Sequence, residues 1–126
     1  MDFNIEIEFV KNYIKKDFQD RLIFELQSKK QREKAKSRFS HFSIAILNDS
    51  FKSCNTLQIQ ELVLEKYDVK EECYIISDDE NDGKTLFLHD AVSLCKNSYA
   101  AMILISKKFV LVKEEVERTP IFYLSY

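Results

Sequence analysis

Cys73-Tyr74-Ile75-Ile76-Ser77 is a β-branched and aromatic run stopped by the polar turn Asp78 to Lys84, and a short apolar run bounded by turn residues reads as a β-strand. Downstream, Leu88 to Asn97 reads as a helix burying Ala91, Val92, Leu94 and Cys95,. Two more strands are expected, Ala100 to Ser106 and Phe109 to Val112, joined by Lys107-Lys108 in a tight turn without its usual Gly or Asn,. Ile121 to Tyr126, after Pro120, adds another. The stretch Asn97 to Ser106 is almost continuously apolar, the pattern of a central strand with both faces covered,.

Upstream the periodicity changes. Val10, Ile14, Phe18 and Leu22 recur every four residues, and Phe9, Tyr13 and Leu26 widen the same stripe, so this region is helical with one buried face. Asp17, with Asp20 three residues on, is able to restart a helix, which divides the region near Lys16,. Ser28 and Gln31 form an S-x-x-Q capping box that opens a third segment, Lys29 to about Phe39,. The run Ile44-Ala45-Ile46-Leu47 is too short to separate strand from helix end, so segment 43–47 stays ambiguous,. Asn55 or Thr56 caps a further helix that ends near Tyr67 and Asp68,. The expectation is one α+β domain over residues 1–126. Its helical half covers about 1–68 and its sheet-containing half about 69–126, with N-terminal helices packed on a small antiparallel or mixed sheet of about three to five strands.

Composition supports a folded chain and removes several function classes. Ten Phe and six Tyr among 126 residues are enough for a core,. One Gly and one Pro exclude collagen-like and low-complexity classes and any glycine-rich phosphate loop,. The segment Met1 to Phe9 carries Asp2, Glu6 and Glu8 and no base, unlike a secretory signal, and no uncharged stretch approaches the length of a spanning helix,. A cytoplasmic location is expected. Cys54, Cys73 and Cys95 match neither a disulfide framework nor a C-x-x-C motif, which makes them reduced core thiols,.

No residue set rises to a catalytic or metal-binding signature, and no cofactor is expected. The acidic turn Asp78-Asp79-Glu80-Asn81-Asp82-Gly83 begins like a calcium loop, but its twelfth position is His89 rather than Glu and a strand precedes it,. Gly83 is expected at positive φ. His41 and His89 each lack a second ligand at local spacing,. The basic segment Lys29, Lys30, Arg32, Lys34, Lys36 and Arg38 carries +5, leaving −7 elsewhere in a chain of net charge −2. Six cations suit the phosphates of a nucleic acid. Spaced two apart, however, they fall on different faces of a helix, and no aromatic RNA-binding pair or zinc finger accompanies them.

From Glu72 to about Lys113, the order Glu72-Cys73-Tyr74-Ile75-Ile76-Ser77, Asp82-Gly83-Lys84, then a Leu-rich helix start and two apolar strands resembles a set of small uncharacterised bacterial proteins with no assigned activity. The resemblance implies that Gly83 and its turn are a structural element. Size, charge asymmetry and the lack of catalytic machinery point to a non-catalytic protein-interaction module, of which a bacterial toxin-neutralising, immunity-type protein acting by occlusion is one concrete form. Its acidic surface is expected at Glu71, Glu72, Asp78, Asp79, Glu80 and Asp82, or at Glu114, Glu115 and Glu117, facing a basic protein. The alternatives are nucleic-acid binding through residues 29–38 and a small enzyme of unknown reaction. A homodimer paired through the C-terminal strand is also expected if that strand lies at an edge.

Overall fold

Asp2 opens the first helix, α1 (Phe3–Tyr13), by accepting a hydrogen bond from the Ile5 N–H at 3.2 Å, the role a short acidic side chain plays at an N-cap. The computed structural model describes residues 1–115 and 119–126. The division expected near Lys16 is present: α2 (Lys16–Gln27) begins after a break at Ile14 and Lys15. Asp17 lies in its first turn rather than at the cap. Ile14 makes an isolated antiparallel bridge with Leu47, and Lys15 N–H donates to the Ile46 carbonyl, so the break is tied to the end of the third helix.

The Ser28 hydroxyl accepts from the Gln31 N–H, but regular helix starts only at α3 (Arg32–Ile46). Its length settles residues 43–46 as helix. The strand β1 (Lys52–Cys54) follows, and Asn55 with Gln58 forms a reciprocal capping box on α4 (Thr56–Ile59), which runs on as a π-helical turn (Gln60–Leu64),.

The sheet contains β1, β2 (Glu72–Ser77), β3 (Thr85–Phe87), β4 (Met102–Ile105), β5 (Val110–Lys113) and β6 (Phe122–Ser125), in the order β1-β6-β5-β4-β2-β3, every pair antiparallel. Six strands exceed the expected three to five because β1 and β3, at three residues each, are too short to show an alternating pattern. Helix α5 (Leu88–Asn97) follows β3 directly. Helices cover both faces of the sheet. On one face α1–α3 pack Phe9, Val10, Leu22 and Phe39 against Tyr74, Ile76, Ile103 and Val112. On the other, Ile59, Val63, Ala91 and Val92 meet Ile75, Leu104, Leu111 and Phe122. This explains the unbroken apolar run of β4.

The C-terminal strand is not an edge. β6 has β5 on one side and β1 on the other, with Ser53 opposite Tyr123, so pairing with a second copy along β6 is sterically occupied. The open edges are β1 and β3. The β4–β5 turn forms without Gly because the Ser106 hydroxyl accepts from the Lys108 and Phe109 N–H groups at 3.0 and 3.1 Å,.

Gly83 has φ +84°, and the Ile75 backbone both accepts from Gly83 N–H at 2.8 Å and donates to the Lys84 carbonyl at 2.9 Å. That is a bulge with glycine at its left-handed first position. A Cβ there would also meet the Met1 sulfur at 2.6 Å, but that exposed side chain can swing aside. Gly83→Ala is therefore expected to cost about 1–2 kcal/mol, the left-handed backbone penalty, read as a lower urea midpoint at unchanged m-value. An unchanged midpoint would show that the turn tolerates a side chain.

Candidate functional site

The acidic turn and the basic helix, which look like two separate surfaces along the chain, are joined in the fold. Glu6, on α1, is fully buried, and its carboxylate takes both Nη groups of Arg32 at 2.7 and 2.8 Å. The same guanidinium grips Asp82 through Nε at 2.8 Å and Nη2 at 3.0 Å, and donates to the Leu26 carbonyl at 2.9 Å. The planar fork of arginine suits such paired recognition of two carboxylates. Tyr74 donates to Glu6 at 2.5 Å and accepts from the Asp2 N–H at 3.1 Å. Burial alone would lower the Arg32 pKa, but the hydrogen bonds that Arg32 donates to Glu6 and Asp82 outweigh that and hold the group charged. Burial, and then the Glu6 hydrogen bond, push the Tyr74 phenol up, so it stays protonated. This network fastens α1, α3 and the β2–β3 turn together.

The expected basic surface is divided accordingly. Arg32 and Lys36 are buried: Lys36 pairs with Glu33 at 2.9 Å and approaches Asp82 at 3.6 Å. Arg38 holds Glu25 at 2.9 Å. Lys29, Lys30 and Lys34 remain exposed. Of the six cations of residues 29–38, Arg32, Lys36 and Arg38 are thus held in ion pairs of the fold, the first two of them buried.

The acidic candidates divide in the same way. Asp82 belongs to the network. Burial disfavours the Asp79 charge, yet hydrogen bonds from Ser77 Oγ at 2.5 Å and Asn81 N–H at 2.9 Å outweigh it and hold the carboxyl below its ordinary value. Asp79 is a turn-former. Asp78 and Glu80 are exposed. In the second acidic set Glu114 is half-buried and Glu115 exposed, while Glu117 lies outside the described residues.

Glu71 and Glu72 have a different setting. They line a groove of about 700 Å³ between α1 and the end of the sheet made by β2, β3 and the β4–β5 turn. Its acids are Asp2, Glu8, Glu71 and Glu72, its bases Lys70 and Lys107. Apolar walls come from Ile5, Phe9, Tyr13, Tyr74 and Ile105, with Phe9 and Tyr13 stacked at 5.9 Å between centroids and Tyr13 edge-on to Phe51 at 5.7 Å. A turn in which Lys70 N–H donates to Asp68 Oδ1 and Glu71 N–H to the Asp68 carbonyl positions the floor acids. Among the described residues none of the four groove acids is in an ion pair, in contrast to Glu6, Glu25, Glu33 and Asp82.

Sequence reading missed the groove's α1 acids and the buried network. One signal was present: extending the series Val10, Ile14, Phe18, Leu22 back by four residues lands on Glu6, an acid on an apolar stripe,. Among the described residues no three His, Cys, Asp or Glu are arranged to hold a metal ion, and no helix is long and apolar enough to cross a membrane. Comparison with known proteins found no matching family model, no matching curated protein and no matching solved structure. Function is therefore inferred from the groove and the surrounding charge alone.

Proposed function

We propose that the protein is a non-catalytic interaction module that binds a basic protein segment in the groove beside α1, with toxin neutralisation by occlusion, the immunity-type role, as its concrete form. One observation carries this: among the described residues the four acids lining the groove are in no ion pair, whereas Glu6, Glu25, Glu33 and Asp82 are each held by a cation of the fold. Acids arranged around an aromatic and aliphatic wall match an interface with an apolar centre and a charged rim. The charges would chiefly speed association, and the half-buried Ile5, Tyr13 and Ile105 would provide the apolar contact area that holds the partner,. Nucleic-acid binding is left with the exposed Lys29, Lys30 and Lys34, which are not among the residues that line the groove.

The test is a pull-down from nuclease-treated lysate with three baits: wild type, Glu71→Lys with Glu72→Lys, and a variant with Lys29, Lys30 and Lys34 all changed to Glu. A protein held by the first and third baits and reduced at least about tenfold on the second is the expected result. Loss on the third bait alone, together with nucleic acid eluting from untreated lysate at moderate salt, would move the site to the basic helix.

A further inference from the structure

The groove opens sideways onto β3, an outer strand of the sheet. The register Glu72↔Phe87, Cys73↔Leu86, Tyr74↔Thr85, with Ile75 N–H bonded to the Lys84 carbonyl, fixes which pairs exchange hydrogen bonds. Bonded and non-bonded pairs alternate along an antiparallel ladder, so Cys73 and Leu86 face each other through their backbones. The N–H and C=O of Thr85 and the N–H of Phe87 therefore point away from β2. On the side-chain level, Thr85 lines the groove, its neighbour Phe87 is a large ring more than half exposed, and Leu86 lies on the opposite face against the α5 side of the core.

Building on the groove as the contact surface, we infer that the partner binds as an extended segment added alongside β3, its alternate residues cationic toward Glu72 and apolar toward Leu86. Added strands draw affinity from main-chain hydrogen bonds and specificity from pockets for alternate side chains, and here the edge supplies the first and the groove the second. Charge selects the occupant. A second copy of this chain paired edge to edge by a two-fold axis would present the same patch on both sides, setting Glu72 and its neighbours against their own duplicates. A basic segment meets the unpaired acids instead.

The probe is the peptide acetyl-(Lys-Val)3-amide, compared with two versions carrying N-methyl groups on every Lys or on every Val nitrogen. Binding is followed by amide hydrogen exchange and chemical shifts of the labelled protein. The parent peptide is expected to slow exchange at Thr85 and Phe87 about tenfold or more, and one N-methylated version, but not the other, to lose affinity by a similar factor. Thr85→Pro, which removes one outward N–H and leaves the Cys73 and Leu86 pair intact, should bind no better than the weakened peptide. Shifts at Glu8 and Tyr13 with all three peptides equal, and exchange at Thr85 and Phe87 unchanged, would overturn strand addition while leaving the groove as the contact surface. No shift with any peptide would overturn both.

Discussion

Arg32→Ala is expected to remove about 3–5 kcal/mol of stability, because it leaves the fully buried Glu6 carboxylate facing an apolar interior with only the Tyr74 hydroxyl for company,. Measured against a total of roughly 5–15 kcal/mol for a domain, that is a large fraction of the stability, read as a much lower urea midpoint. Asp82 fares better, keeping the Ser77 N–H at 3.1 Å and Lys36 at 3.6 Å. Arg32→Lys should recover only part, since a single ammonium cannot engage Glu6 and Asp82 in two paired contacts at once. Combining Arg32→Met with Glu6→Gln removes both buried charges and is expected to cost clearly less than the two single changes summed, a coupling that a double-mutant cycle in urea resolves. Additive losses, or an Arg32→Ala change below about 1 kcal/mol, would mean that the network contributes no more than a surface ion pair.

The second large effect appears in alkali. Burial pushes the Cys73 and Cys95 thiols up to about 12, against an ordinary 9.0. Burial also raises the Tyr74 and Tyr123 phenols. Below pH 9 folded and unfolded chains both keep these protons and the thiols leave stability flat. Between pH 9 and 12 the unfolded chain releases protons that the folded chain retains, so stability falls as pH rises, by up to roughly 4 kcal/mol for each thiol over the full interval. Lys113 acts the other way. It is 1 % exposed on β5, burial lowers its pKa from 10.5, and the cost of its charge fades as pH climbs from that lowered value to 10.5,.

Two thiols outweigh one amine, and urea titrations at pH 7, 9, 10 and 11 should show a steady decline beyond pH 9. Cys95→Ala is expected to be less stable than wild type at pH 7, through lost packing, yet to decline less steeply, so that the two curves converge or cross near pH 11. Lys113→Met should be more stable at pH 7, with that advantage gone above pH 10.5. Parallel curves for wild type and Cys95→Ala would place the alkaline sensitivity elsewhere.

How much of this was legible in the chain depended on how local its cause was. The bounds of α5 could be read directly because Ala91, Val92 and Cys95 repeat with helical spacing inside ten residues. The strand β2 was equally plain, and β4 betrayed its central place because covered faces need apolar residues at every position. Lys52-Ser53-Cys54 gave no such signal: three residues, two of them polar, become a strand only because β6 offers them backbone partners. β3 arises likewise, from the register that the Gly83 bulge imposes.

The candidate site follows the same division. Glu71 and Glu72 were singled out for their charge, and they line the groove; Asp2 and Glu8, its other acids, sit some sixty residues away on a helix read only for its apolar stripe. Arg32 and Asp82 were each assigned to a surface of one sign. The sequence alone determined the α+β class, the apolar faces of the long helices, the glycine demanded by the turn and the presence of opposite charge blocks. Tertiary structure decided which of those charges remain available, because periodic burial is set by residues two to four positions apart, whereas an ion pair depends on distance in space, and Arg32 is separated from Glu6 by 26 positions and from Asp82 by 50,.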